Sequence, residues 1–237
     1  MSNQLAVIIA TVFQPSWYAC ARTWADQSLD PFTRRVIKGK PLLEAYQEGL
    51  ETTVEPILGY CHDDVVVEER GWDRRMLAEF DDPEVGLVGF AGGHGLGDLD
   101  IYKKPYRLIQ LARRGMRSNM RDAEQHGQRF AGECDVASLD GFAMFVRRQL
   151  LMESGGRKHY QGWPLGTPIG YFMYDAWLSC EAKRQGWRTR LVGVACQHLN
   201  GKSTGLGPQT LGQAEFEAAH RYVYDTCRDV LPLEVKP

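Results

Sequence analysis

LAVIIATVF, residues 5 to 13, decides the fold, because it is apolar without interruption and rich in β-branched side chains. A strand with one exposed face alternates apolar and polar residues, whereas a strand buried on both faces of a parallel sheet is apolar throughout. We therefore expect residues 5–13 to form a central parallel strand. Ligands bind such sheets at the carboxyl ends of the strands, which directs attention to Thr11 and Phe13.

Helical and strand-like segments alternate after this strand. Apolar spacing predicts helices over residues 17–29, 41–54 and from 71 to an Asp-Pro stop, with Pro41 at a helix start. Strand character returns in RRVIKGK (34–40), EPILGY (55–60) and VGLVGFA (85–91). The alternation predicts an α/β fold, an open and mostly parallel sheet flanked by helices. With 237 residues and 43% hydrophobic content, one domain is expected.

The second half of the chain continues the pattern. Residues 135–151 predict a strand that enters a helix, with Asp140 and Gly141 at an exposed turn. A helix should begin near Asp175, and the strand TRLVGVAC (189–196) should lead to His198. The last helix lies within residues 208–231 and is interpreted as a packing element, since four residues fall at core-facing intervals: Phe216, Ala219, Val223 and Cys227.

Composition excludes several classes of protein. The 28 basic and 30 acidic residues nearly cancel, so the overall charge favours neither nucleic acid nor membrane as a partner. The six cysteines show no metal-ligand spacing and no CxxC pair, a pattern typical of reduced, buried thiols. The apolar N-terminal run is too short to span a bilayer, so a cytoplasmic protein is predicted.

The triplet His62-Asp63-Asp64 follows an apolar strand and precedes three valines. Two adjacent carboxylates are costly to bury, so the triplet is either a solvated strand end or a site for a hard cation such as Mg²⁺ or Mn²⁺. His198 also follows an apolar strand, and with Asp175 it favours the metal interpretation. Two strand ends would then converge on one ion.

Two further stretches stand out by composition. GGHGLG (92–97) is either a plain loop or, less in keeping with its position after a late strand, a phosphate cradle. Residues 101–130 hold two acids, Asp122 and Glu124, against eight basic residues: Lys103, Lys104, Arg107, Arg113, Arg114, Arg117, Arg121 and Arg129. This stretch is either a solvated helix with salt bridges or a surface for a polyanion.

The order of the segments resembles a known family. ILGYCHDDVVV, FDDPEVGLVGFAGG, LDGFAMFVRR and YDAWLS, followed by a strand that ends in His198, look like a glycosyltransferase of the GT-A fold. The similarity is greatest to the family 2-like group in which histidine replaces the first acid of the DxD motif, giving HxD. It covers roughly residues 5 to 203 and rests on the order and spacing of the motifs.

The resemblance implies a role for each matching residue. Asp64, His198 and His62 are the expected ligands of a Mn²⁺ or Mg²⁺ ion. The implied contacts to the nucleotide-diphosphate sugar, expected to be a UDP-sugar, are Thr11, Phe13, His62, Asp63, Asp64 and Lys202. Asp175 matches a general base at a helix start, and Asp140 falls on an acceptor-side turn. Trp177 replaces a second acid of many relatives and is either an acceptor platform or a core residue.

The implied activity is metal-dependent transfer of a hexosyl or pentosyl group to an acceptor hydroxyl, with inversion. Residues 1–95 would form the donor half and 96–208 the acceptor half, followed by a helix and tail over 209–237. Two alternatives are a non-catalytic nucleotide-sugar or glycan-binding domain and a phosphohydrolase, although the latter lacks helix-borne histidines.

The acceptor is left open between two classes. One is a glycan, a cell-surface precursor or a small molecule. The other is a polyanion such as hydroxymethylated DNA, contacted by the arginines of the basic stretch, which are Arg113, Arg114, Arg117 and Arg121.

Overall fold

The computed structural model describes residues 3–11, 17–97, 113–121, 127–153, 162–199 and 213–235. Phe13, Lys202, Lys103, Lys104 and Arg107 lie outside these ranges. In the described part, no helix combines the length and apolar composition needed to cross a membrane.

The described helices and strands alternate as an α/β protein. The helices are α1 (Trp17–Asp26), α2 (Leu42–Glu51), α3 (Trp72–Glu79), α4 (Arg148–Met152), α5 (Tyr174–Arg184) and α6 (Gln213–Thr226). The strands of the first half are β1 (Leu5–Thr11), β2 (Thr33–Lys38), β3 (Ile57–His62), β4 (Val65–Val67), β5 (Val85–Gly89), β6 (Ala91–Gly93) and β7 (Gly95–Leu96). The remaining strands are β8 (Arg113–Arg114), β9 (Arg117–Ser118), β10 (Gln128–Arg129), β11 (Glu133–Asp135), β12 (Ser138–Leu139), β13 (Ala143–Arg147), β14 (Arg188–Val192), β15 (Cys196–His198) and β16 (Leu233–Glu234).

A seven-stranded sheet in the order β11-β14-β5-β13-β3-β1-β2 forms the centre of the protein. β1 pairs in parallel with β2 and β3, and β14 pairs in parallel with β5. β13 runs antiparallel between β3 and β5, and β11 runs antiparallel at the edge. The sheet is therefore open and mostly parallel, which confirms the predicted fold class.

Strand β1 is buried over its whole length, as its apolar sequence predicts. Its side chains alternate between two hydrophobic cores, one on each face of the sheet. One core receives Ala6, Ile8 and Ala10, and the other receives Leu5, Val7 and Ile9. The second core also contains an aromatic cluster around Trp24, whose ring lies 4.9 Å from that of Trp72. The sheet is thus covered on both sides.

Several sequence predictions need correction. The turn at Asp140 and Gly141 is not exposed, because Gly141 is buried and Asp140 is half-buried between β12 and β13. The glycine-rich residues 92–97 form neither a plain loop nor a phosphate cradle, since all of them except His94 and Gly97 fall in β6 and β7, which pair with neighbouring strands. The described arginines of the basic stretch lie in or beside short strands rather than on a helix.

Predictions for the end of the chain are largely confirmed. Ala219 and Val223 of helix α6 are completely buried, as is Cys227 directly after the helix, while Phe216 is half-buried. The predicted strand over 189–196 is interrupted, since residues 193–195 separate β14 from β15. All six cysteines carry free thiols, and five of them are buried.

Candidate active site

The residues of the HDD triplet and His198 meet at one end of β3. His62 is the last residue of that strand, and Asp63 and Asp64 form the turn into β4. β15 pairs antiparallel with β4 so that His198 lies opposite Val65. The backbone N–H of Leu199 also donates to the carbonyl of Asp64 over 3.0 Å. This pairing brings His198 to the triplet across a long separation in sequence.

Three side-chain atoms converge there. The Nε2 atom of His198 lies 3.1 Å from Oδ1 of Asp64 and 3.4 Å from Nδ1 of His62, and the last two atoms are 4.0 Å apart. Neighbouring ligands of an octahedral cation with 2.0–2.1 Å bonds are about 3.0 Å apart. The observed separations are therefore close to those of one bound cation, and His62, Asp64 and His198 fit a metal site.

The electrostatics of the triplet fit a positive ligand. Asp63 and Asp64 are 6% and 5% exposed. Burial, together with the charge of Asp64, raises the pKa of Asp63, although a hydrogen bond from Thr11 opposes the shift. Burial and the neighbouring His198 lower the pKa of His62 to about 4, so that imidazole is neutral at pH 7. The site thus concentrates carboxylate charge beside a neutral imidazole, a donor set suited to a cation.

The triplet opens onto a cleft of about 660 Å³. Thr11, at the carboxyl end of β1, lines this cleft with His62, Asp63 and Asp64. Among the described residues, Oδ2 of Asp63 is a buried oxygen without a hydrogen-bond partner. The walls include apolar residues, an aromatic ring and a cation, among them Lys40, Leu42, Leu43, Leu165, Ile169 and Tyr171. The cleft therefore has a polar floor at the strand ends and a largely apolar wall.

Asp175 lies at the start of α5, where the sequence places it, and it is 8% exposed. Its Oδ1 accepts the backbone N–H of Ala176 over 2.7 Å, and its Oδ2 accepts that of Gly141 over 2.9 Å. Arg113 forms an ion pair with the same Oδ2 at 2.5 Å. Burial raises the pKa of Asp175, and Arg113 acts in the opposite direction. The carboxylate therefore clamps the turn that precedes β13.

Asp140 is a second carboxylate on the same side. Its Oδ1 accepts the backbone N–H of Phe142 over 3.3 Å. Its charge contributes to the raised pKa values of Asp175 and Tyr171, so it lies near both groups. Asp140, the more exposed of the two carboxylates, also acts on the pKa of His62, against the lowering by burial, so it lies near the candidate metal site.

The arginines proposed as acceptor contacts are each engaged with the protein. Arg113 lies beside Asp175, Arg114 pairs with Glu234 at 2.6 Å, and Arg121 pairs with Glu68. Arg117 lies over the ring of Phe130, 5.2 Å from its centroid. These contacts favour the salt-bridge interpretation of the basic stretch, although the expected helix is absent from its described residues.

The aromatic residue at the cleft is not the one that the sequence indicates. Trp177 is 6% exposed and packs against Trp163 at 6.0 Å, which favours the core interpretation. Tyr171 is 41% exposed, lines the cleft, and lies nearly parallel to His62 with ring centroids 6.2 Å apart. Sequence analysis also missed Tyr174, whose hydroxyl oxygen lies 2.6 Å from Nε2 of His62. An aromatic residue beside an acid carries no local signal of such a contact.

Comparisons with known proteins agree with this architecture. A family model described as "Glycosyltransferase like family" matches residues 27–194. A search of curated proteins finds no significant match.

Solved structures are similar in fold at low sequence identity. A197 from STIV has a TM-score of 0.51 at 14% identity, over 83% of this chain and 85% of that chain. The mannosyltransferase PcManGT from Pyrobaculum calidifontis, in complex with GDP-Man and Mn²⁺, has a TM-score of 0.51 at 13% identity, over 98% and 74% of the two chains. GalNAc-T7 with UDP, GalNAc and Mn²⁺ has a TM-score of 0.63 at 12% identity, over 95% and 49%.

These likenesses support the fold and not a particular substrate, because identities this low do not carry a site from one protein to another. The family match is of a different kind, since it spans well over half of the chain. The chain therefore belongs to the glycosyltransferase-like family, and its fold is the GT-A fold.

Proposed function

We propose that this protein transfers a sugar from a nucleoside-diphosphate sugar to an acceptor hydroxyl, with a divalent cation held by His62, Asp64 and His198. The observation that carries the proposal is the convergence of three ligand atoms at the end of β3, on the floor of a 660 Å³ cleft. A cation at this position would act as a Lewis acid that stabilises the diphosphate leaving group.

The cleft walls suit the nucleotide. Oδ2 of Asp63, which has no hydrogen-bond partner among the described residues, can accept a hydrogen bond from a hydroxyl of the ribose, and Thr11 lies beside Asp63. Leu42, Leu43 and Ile169 offer an apolar surface for the base. Lys40, half-exposed on the rim and paired with Glu48 at 2.5 Å, can exchange that partner for a phosphate oxygen.

The ligand set favours Mn²⁺ over Mg²⁺. Two of the three side chains are imidazoles, whereas Mg²⁺ prefers oxygen ligands and retains its water. We therefore propose that the bound cation is Mn²⁺ rather than Mg²⁺.

We propose that Asp175 is the general base that removes the proton of the acceptor hydroxyl. In the proposed step the acceptor oxygen attacks the anomeric carbon, the bond from that carbon to the diphosphate breaks, and Asp175 takes the hydroxyl proton. Attack from the face opposite the leaving group inverts the anomeric centre. The raised pKa of Asp175 strengthens it as a base. Asp140 is the alternative base, since it lies nearby and is more exposed.

For the acceptor we propose a glycan or a small molecule rather than DNA. Arg113 lies largely buried beside Asp175 and Arg117 lies over the ring of Phe130, which withdraws two of the four arginines that a polyanion would contact. Arg114 and Arg121 keep exposed ion pairs with Glu234 and Glu68. A hydroxyl on a neutral sugar requires no such cluster, and the exposed face of Tyr171 offers a surface on which a sugar ring can pack.

The test is calorimetric titration of Mn²⁺ with UDP or GDP into the wild type and into Asp64→Asn. We expect the nucleotide to bind only with Mn²⁺ present, Mg²⁺ to support weaker binding, and Asp64→Asn to reduce affinity at least 10-fold, as an order of magnitude for a lost metal contact. Asp225→Asn, which changes an exposed acid on α6, is the matched control. Equal nucleotide binding in excess chelator would refute the metal assignment, and binding without any transfer to a panel of acceptors would favour the non-catalytic alternative.

A further inference from the structure

The hydroxyl of Tyr174 bridges the candidate metal site and the turn at Gly141. Its oxygen lies 2.6 Å from Nε2 of His62 and 2.8 Å from the carbonyl oxygen of Gly141. Tyr174 is 3% exposed, in the first turn of α5, and its ring packs near those of Tyr46 and Trp163. The hydroxyl therefore has a fixed position between the two partners.

Counting protons decides which form of His62 fits this arrangement. A tyrosine hydroxyl has one proton to donate, and the carbonyl of Gly141 can only accept. The hydroxyl proton of Tyr174 is therefore used on Gly141, and its oxygen accepts a proton from Nε2 of His62. A neutral imidazole with its proton on Nε2 has a lone pair on Nδ1. That atom is the one that lies near Asp64 and His198.

The space at Gly141 supports the same arrangement. A Cβ at this residue would lie 2.2 Å from the hydroxyl oxygen of Tyr174, so a side chain there would displace the tyrosine. The N–H of Gly141 donates to Asp175, which fixes the carbonyl of the same residue in turn. The absence of a side chain at Gly141 and the hydrogen bond to Asp175 thus both hold the carbonyl oxygen of Gly141 where it accepts the proton of Tyr174.

We propose that Tyr174 is a positioning residue, which holds His62 in the tautomer protonated on Nε2 so that Nδ1 is available to a divalent cation. The inference rests on the proposed function in one respect, namely that His62 is a metal ligand. Partners of this kind orient metal-binding histidines, and their loss typically reduces metal affinity by about 10- to 100-fold. The hydroxyl of Tyr174 serves this role in place of the more usual carboxylate or backbone carbonyl.

The test compares Tyr174→Phe with Tyr60→Phe, a variant that removes a hydroxyl from the same aromatic cluster. Tyr60 is fully buried, and its ring packs against Trp163 at 4.9 Å. The first measurement is Mn²⁺ affinity, read from the electron paramagnetic resonance signal of unbound Mn²⁺. We expect Tyr174→Phe to bind Mn²⁺ about 10- to 100-fold more weakly than the wild type and Tyr60→Phe to match it.

The second measurement needs no variant of Tyr174. Long-range ¹H–¹⁵N spectra of metal-free wild type, with the His62 signals identified by their loss in His62→Gln, report which ring nitrogen carries the proton. A proton on Nε2 is expected, and a proton on Nδ1 would overturn the proposal even if Tyr174→Phe did not fold. Equal Mn²⁺ affinity in Tyr174→Phe and the wild type would also overturn it. A wild type that binds no Mn²⁺ would instead refute the proposed function, which separates the two failures.

Discussion

Replacing Asp175 by asparagine tests two roles of this residue, its ion pair with Arg113 in the folded protein and its proposed role as general base. Asparagine keeps an oxygen for the N–H of Gly141, but it cannot balance the charge of Arg113, which lies 2.5 Å from the carboxylate. Removing one partner of a buried ion pair costs about 3–5 kcal/mol. The side chain of Arg113 retains 21% exposure, which lets water compensate in part, so we expect a loss of about 2–3 kcal/mol.

Urea unfolding of four proteins measures this cost: wild type, Asp175→Asn, Arg113→Met and the double variant. Methionine fills much of the arginine volume without its charge, so the double variant leaves no uncompensated ion. We expect it to recover most of the stability that Asp175→Asn loses, with a coupling energy of about 2 kcal/mol. A loss below about 0.5 kcal/mol in Asp175→Asn, as for an ordinary surface substitution, would refute the argument from the ion pair.

Activity assays on the same proteins test the base. An amide cannot accept the proton, so the single variant Asp175→Asn and the double variant should both transfer sugar about 10²- to 10⁴-fold more slowly, with donor affinity unchanged. Recovery of stability without recovery of activity in the double variant would show the two roles to be separate. If the double variant transfers sugar at the wild-type rate, the base is not Asp175, and Asp140→Asn becomes the variant to examine.

Three further predictions concern the cleft, the acceptor and pH. Tyr171→Ala should raise the KM for the acceptor sugar by about 10-fold, because the sugar loses the ring on which it packs, whereas Tyr171→Phe should keep the wild-type KM. Equal KM values for Tyr171→Ala and the wild type in steady-state assays would contradict this. Acceptor binding should change little between low and high salt, whereas a steep decrease, with a logarithmic slope of about 0.9 per phosphate, would restore duplex DNA as a candidate. Burial, aided by the charge of Arg113, lowers the pKa of His220 to about 4. The unfolded chain therefore binds an additional proton at His220 between about pH 6.5 and 4, and the stability that this group contributes falls as the pH falls through this window, by about 3 kcal/mol at the lower end. His220→Gln should flatten that part of the stability profile, and an unchanged slope in urea titrations would count against it.

The fold could be predicted because the sheet leaves a strong local signal. A strand buried on both faces needs apolar side chains at nearly every position, and β1 is buried at all seven residues. The HDD triplet indicates a functional site because Asp63 and Asp64 interrupt an apolar run, and both of these acids are buried in the structure. The helix that begins at Tyr174 was also located within one residue of its expected start.

The details of the site depend on contacts that no local pattern encodes. His62 and His198 are 136 residues apart, and the pairing of β15 with β4 brings them together. Arg113 belongs to a run of basic residues, and only the tertiary structure shows that it forms an ion pair with Asp175. The resemblance implies an acid at the place of Trp177, yet the burial of this residue follows from the packing of α5 against Trp163.

The costly burial of Asp63 and Asp64 has a consistent physical explanation if the strand end is a binding site. Without a ligand, the adjacent carboxylates reduce the stability of the fold, because burial and the charge of Asp64 raise the pKa of Asp63, and Oδ2 of Asp63 lacks a hydrogen-bond partner among the described residues. A cation and a ribose hydroxyl would supply the missing interactions, and any ligand that binds only the folded chain stabilises it by mass action. The same groups that destabilise the protein alone would then stabilise its complex, so the proposed site would link stability to donor binding through the end of one strand.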